Sequence, residues 1–129
     1  MPFIRYEQGD MASWLQGCSC DICLPAIALD VGRTMHCFVR RNGEIFAPQL
    51  PDPFMEDLQS MFWQAAQVSR DVVELRYRPK GQRDPAVERQ YAERIRQHFQ
   101  EDFEIRFVVV DTMPLTNAGK FIKYRNEIV

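Results

Sequence analysis

Asp84-Pro85 stands between two segments patterned as strands and opens a segment patterned as a helix. The aspartate carboxylate can cap the free amides of a helix start, and the fixed φ of proline suits the first helical position. Val87, Tyr91, Ile95 and Phe99 then recur every four residues among Glu88, Arg89, Glu93, Arg94 and Arg96, which predicts a helix with one apolar face. Before it, residues 71–78 alternate Val73, Leu75 and Tyr77 with Glu74, Arg76 and Arg78, the period of a half-buried strand. After it, residues 105–110 are β-branched and apolar enough for a central strand. A helix that returns between strands must pack on their sheet, so the fold class expected is α+β.

A second Asp-Pro pair, Asp52-Pro53, precedes Phe54, Leu58, Met61, Phe62 and Ala65 at spacings of three and four, which predicts another helix ending near Gln67. Residues 35–40 and 44–46 flank Arg41-Asn42-Gly43, and Asn-Gly is a strong hairpin signal. The expected order over residues 32–129 is hairpin, helix, strand, helix, strand. Residues 1–31 read differently, turn-rich and cysteine-rich with short strands around Ile4 and over 12–15, and are expected to form a separate piece with a hinge near Gly32.

A net charge of −2 and the lack of a basic stripe beside Trp14 and Trp63 argue against nucleic-acid binding. Those tryptophans, with Phe54 and Phe62, read as core or interface aromatics, and His98 as a packed or surface histidine. No segment approaches the roughly 18 apolar residues of a spanning helix. Arg5, Glu7 and Asp10 interrupt any secretory signal, so the default expectation is a cytoplasmic protein without a membrane partner.

The most informative chemistry lies in Met113-Pro114-Leu115-Thr116-Asn117-Ala118-Gly119-Lys120-Phe121. Pro114 restricts the backbone, Gly119 frees it, and Thr116 and Asn117 can bond nearby main chain, so the loop can hold a shape without its own core. A glycine before a lysine lets the backbone approach a ligand while the ammonium reaches an anion. A phosphate loop of the Walker type is excluded by spacing, because Pro114 and Phe121 occupy its glycine and hydroxyl positions.

Pro114-x-Thr116-x-x-Gly119-Lys120 resembles the last signature of the AMP-forming acyl and aryl ligases. Tyr6-Glu7-Gln8-Gly9-Asp10 resembles that family's Tyr-x-x-Gly-Asp signature and Gly32-Arg33 its hinge signature, in the same order. The phrasing of residues 2–6, Cys18-x-Cys20 and Leu24-Pro25 is most similar to the phenylacetate-CoA ligase branch and its capsule-synthesis-associated relatives. The resemblance implies residues 1–31 as a remnant of the large N-terminal domain, with its ribose-binding strand and cysteine-rich loop, and residues 32–129 as the C-terminal lid. It implies Lys120 as the catalytic residue that stabilises charge between a small carboxylic acid and the α-phosphate of ATP, with Asp10 and Arg33 on the nucleotide. ATP with Mg, and coenzyme A as a possible thiol acceptor, belong to the complete enzyme. The phosphate loop, adenine pocket and acyl pocket of the family lie in a large domain outside these 129 residues, so the chain is expected to be inactive alone and to need that domain as partner. One departure stands out: the acidic residues that follow Gly-Arg in the family are replaced by Thr34, Met35, His36 and Cys37.

Cys18, Cys20 and Cys23 fall within six residues, and in a reducing compartment such clustering suggests thiolate ligands before disulfides. Zinc is the leading candidate, with the fourth ligand open between Cys37, His36 and a residue of the missing domain. Three reduced thiols in a loop is the plain alternative. A reading from another class also follows from the same residues: a non-catalytic binding or regulatory module with a degenerate lid fold and a zinc-clamped loop.

Overall fold

The computed structural model describes residues 10–17, 24–33, 36–51, 56, 58 and 60–128. The chain divides into two compact units, Met1–Thr34 and Met35–Val129. In the first, β1 (Asp10–Leu15) pairs antiparallel with β2 (Ala26–Arg33). The register runs from Leu15 opposite Ala26 to Asp10 opposite Arg33, with an irregularity between Asp10 and Ala12. Cys18, Cys20 and Cys23 lie outside the described residues, as does the expected strand around Ile4.

The second unit is α+β. It opens on a hairpin of β3 (Phe38–Val39) and β4 (Ile45–Phe46), closed as expected around Arg41-Asn42-Gly43. Gly43 sits at φ +89°, where a side chain would be strained, and its amide donates to the Arg40 carbonyl at 2.9 Å. Four further strands form one sheet: β5 (Ser60–Gln67), β6 (Val72–Pro79), β7 (Glu104–Val109) and β8 (Tyr124–Asn126), in the order β7-β6-β5-β8. β5 and β6 are antiparallel, whereas β7 runs parallel to β6 and β8 parallel to β5.

The single described helix, α1 (Pro85–Phe99), is the crossover between the parallel strands β6 and β7. Asp84 is its N-cap, accepting from the amides of Ala86 at 2.8 Å and Val87 at 3.4 Å, with Pro85 in the first turn. Gln100 ends it in the left-handed region at φ 52°, and its amide returns to the carbonyls of Arg96 and Gln97. Tyr91, Ala92, Ile95 and Phe99 are buried against Val73, Leu75, Tyr77 and Ile105 of the sheet. Each large apolar side chain so buried contributes about 1.5–3 kcal/mol. Phe38, Phe46, Phe99 and Phe103 close the core at the hairpin end through edge-to-face and stacked ring contacts. Arg40 and Arg41 fasten the hairpin there: Arg40 donates to the Phe99 carbonyl at 2.7 Å, and Arg41 reaches Asp71 at 2.6 Å and the Asp102 carbonyl at 2.8 Å.

One expectation is overturned. The helix read from Phe54 to Gln67 is, over its second half, the strand β5, so the order is hairpin, strand, strand, helix, strand, strand. The start of that expected helix, including Asp52-Pro53 and Phe54, lies largely outside the described residues. The physical reason is position in the sheet. β5 is flanked by β6 and β8, and Gln64, Ala65, Ala66 and Gln67 are all buried, so no alternation marks it as a strand. Apolar spacings of three and four in so short a run fit either structure.

Candidate functional site

The segment after β7 folds back on itself as a second, smaller hairpin. Val110 extends the ladder by donating to the Tyr77 carbonyl at 3.0 Å, and the chain then turns through Asp111 to Pro114. Leu115 and Phe121 form an antiparallel bridge. Inside it, the Thr116 amide donates to the Lys120 carbonyl at 2.9 Å and the Gly119 amide to the Thr116 carbonyl at 2.8 Å. Gly119 adopts φ +73°, the left-handed conformation that a three-residue hairpin loop requires at this place. The turn at Arg41-Asn42-Gly43 has the same pattern, with Arg40 and Glu44 in the places of Thr116 and Lys120. The two differ in what holds the last amide: Asn42 Oδ1 accepts from Glu44 at 2.9 Å, whereas Thr116 Oγ1 accepts from Lys120 at 3.0 Å.

Lys120 therefore has a fixed backbone and an exposed side chain. Among the described residues its ammonium has no ion-pair partner, whereas most arginines of the sheet are engaged. An ammonium on a hydrogen-bonded hairpin, with no carboxylate partner among the described residues, is suited to meet an anion brought to it.

Beneath the loop lies a row of charges on the sheet face opposite α1. Arg76 donates to both oxygens of Glu127, at 2.8 and 2.9 Å, and through two nitrogens to Glu74 Oε2 at 2.9 and 2.8 Å. Arg125 also reaches Glu127 at 3.1 Å. The bond from Arg76 holds the Glu127 carboxyl below its ordinary value, and Glu127 in turn raises Arg76.

Beside the loop is a pocket of about 430 Å³ lined by Phe62, Arg78, Val110, Asp111, Thr112, Met113, Leu115 and Phe121. Phe62, Leu115 and Phe121 stay roughly half exposed there. Phe62 was expected on the buried face of a helix; as the bulged start of β5, opposite Arg78, it turns outward instead. No local pattern announces this pocket, because it is assembled from the start of β5, the end of β6 and the returning loop.

The other residues singled out by sequence lie in the first unit. Asp10 and Arg33 are register partners across β1 and β2, so two positions 23 residues apart come together at one end of that hairpin. Asp10 is exposed. The fourth cysteine, Cys37, is buried, its thiol is pushed up by that burial, and its carbonyl accepts from Asn126 Nδ2 at 2.9 Å. Among the described residues no group of three or more His, Cys, Asp or Glu side chains stands ready to hold a metal, and no helix is long and apolar enough to cross a membrane. His98, read as packed or on the surface, is exposed and bonds through Nε2 to the Gln49 carbonyl. Compared with known proteins, the chain matches no family model and no curated protein.

Proposed function

We propose that this chain is the C-terminal lid portion of an AMP-forming carboxylate ligase of the phenylacetate-CoA ligase type, with Lys120 acting on the adenylation step. The observation that carries the reading is the hairpin in which Thr116 and Gly119 fix the Lys120 backbone while its ammonium stays exposed and, among the described residues, unpaired. That is the arrangement Pro-x-Thr-x-x-Gly-Lys needs if its lysine is to enter a site built mostly by another domain. The register pairing of Asp10 with Arg33 supports it from the first unit, since two residues read as nucleotide contacts share one hairpin end.

When a carboxylate attacks the α-phosphate of ATP, negative charge builds on the phosphate oxygens as pyrophosphate leaves. A lysine at that point stabilises the developing charge without transferring a proton. The exposed side chain of Lys120 has the reach and charge for this, and Asp10 has two acceptor oxygens for ribose hydroxyls. Magnesium bound with ATP would neutralise part of the phosphate charge. The acyl acceptor in the second half-reaction is coenzyme A or another thiol.

The test is ATP–pyrophosphate exchange by the ligase assembled from this chain and its large domain. Lys120→Ala lowers exchange by about 10²–10³-fold, the range for removing one charge-stabilising donor. The thermal midpoint stays where it is, because Lys120 makes no buried contact. Exchange retained in full by Lys120→Ala rejects the reading.

A further inference from the structure

We infer that Gln64 is the positioning residue of the lysine loop: its side-chain amide ties both legs of the hairpin to the middle of the sheet and so sets where Lys120 is presented. As a statement about catalysis this rests on the ligase reading above; as a statement about the loop it stands on geometry.

Gln64 lies on β5, between β6 and β8, and is fully buried. A polar side chain in that position is costly unless each of its groups is bonded. Its Nε2 donates to the Ile122 carbonyl at 2.7 Å and to the Pro114 carbonyl at 3.4 Å. These acceptors are placed symmetrically: Pro114 is two residues before Thr116 and Ile122 two residues after Lys120. One bridge, Leu115 to Phe121, joins the legs in between. The second leg is also held on β5 by the Ala65 amide donating to the Lys123 carbonyl at 2.9 Å, whereas among the described residues no main-chain bond ties residues 111–114 to the sheet, so the first leg depends on Gln64. The amide cannot turn over, because Oε1 would then face two carbonyl oxygens. Arg76 secures the orientation by donating to Oε1 at 3.3 Å while Glu74 and Glu127 hold Arg76 in place. Leucine would fill the same space and leave both carbonyls without their donor.

The first test is hydrogen exchange by NMR on the intact chain. In Gln64→Leu the amides of Thr116, Gly119 and Lys120 exchange about tenfold faster, the effect of losing one ordinary hydrogen bond, while those of β6 and α1 change less than about twofold. Unchanged loop amides overturn the inference, and so does equal acceleration everywhere, which would make Gln64 a core residue and no more. Should Gln64→Leu fail to fold, the wild-type chain decides: the Gln64 side-chain NH₂ protons exchange slowly and couple through the hydrogen bond to the Ile122 carbonyl carbon. Rapid exchange without that coupling overturns the inference. In the assembled ligase, Gln64→Leu lowers kcat for adenylation by about 10-fold or more with KM for ATP within about twofold, and adds nothing to Lys120→Ala. A rise in KM for ATP with kcat unchanged, or full additivity with Lys120→Ala, counts against Gln64 positioning that lysine. If Lys120→Ala is itself without effect, the ligase reading fails while the exchange experiment still decides whether Gln64 holds the loop.

Discussion

Thr116 and Lys120 are bonded to one another twice: the Thr116 amide donates to the Lys120 carbonyl at 2.9 Å, and the Lys120 amide donates to Thr116 Oγ1 at 3.0 Å. The lysine main chain is thus held while its side chain is left to solvent. Thr116→Val keeps the branched shape and removes the acceptor. The Lys120 amide then exchanges faster by about fivefold to tenfold, with a stability loss of about 0.5–1.5 kcal/mol. Exchange of that amide and a urea titration measure both.

Gly119 makes the same loop sensitive to a single methyl group. At φ +73° an added Cβ meets no atom within 4 Å, so the cost of Gly119→Ala is backbone strain alone. That strain is about 1–2 kcal/mol, and Gly119→Asn loses less because asparagine tolerates the left-handed region. Urea midpoints of the two variants will rank alanine below asparagine. The reverse order would mean that steric contact, not φ, governs the position.

At the start of α1, Asp84→Ala removes the acceptor that satisfies the amides of Ala86 and Val87. The expected loss is about 0.5–2 kcal/mol, and Asp84→Asn recovers most of it. Equilibrium unfolding by circular dichroism compares the three proteins directly.

Tyr77 and Glu88 couple the helix to β6. The Tyr77 hydroxyl donates to Glu88 Oε1 at 2.6 Å, and Arg83 binds the same carboxylate at 2.6 and 2.9 Å. Burial, then the bond to Glu88, pushes Tyr77 from 10.0 up to about 12. The unfolded chain therefore loses this proton first as pH rises. The stabilisation is fully present below pH 10 and disappears between 10 and about 12. Tyr77→Phe costs about 1.5–3 kcal/mol at neutral pH and shows a flatter loss of stability above pH 10, which urea titrations at pH 8 and 11 will read.

Glu127 works in the opposite direction. Held by Arg76, its carboxyl titrates below the ordinary 4.5, so the unfolded chain takes up the proton first on acidification. The stabilisation from this pair is present above about pH 4.5 and is lost as pH falls through the depressed native value. Glu127→Gln removes part of that acid dependence. The slope that remains includes Glu104, which Arg106 lowers in the same sense. Stability of the two proteins followed from pH 6 to pH 3 gives the difference.

Several elements follow the local patterns that announce them. Asp84-Pro85 and the four-residue recurrence to Phe99 specify α1, the alternation from Val73 to Arg78 specifies β6, and Asn42-Gly43 specifies the first hairpin turn. Each of these depends on a cap, a period or a φ preference contained within a few residues. The lysine loop was legible in the same way, through Thr116 and Gly119, although the resemblance of its motif says nothing of what anchors it.

β5 was hidden although β6 follows it directly across a short turn, because its other neighbour, Lys123 to Asn126, lies far along the chain and its own residues 64–67 are all buried. A strand buried on both sides over residues 64–67 loses the alternation that would reveal it, and the spacing of Phe54, Leu58, Met61, Phe62 and Ala65 reads as helix. β8, with three residues, carries no signature of its own. Gln64 offered one hint, a polar residue amid an apolar run, but its acceptors are 50 and 58 residues further along the chain. Local preferences within a few residues account for α1, its cap, the two glycine turns and the placing of Lys120 at the end of the second hairpin. That β5 is a central strand, that Gln64 bonds Pro114 and Ile122 and that Phe62 faces outward follow from pairing and packing with residues from β6 to β8, which no preference within β5 itself specifies.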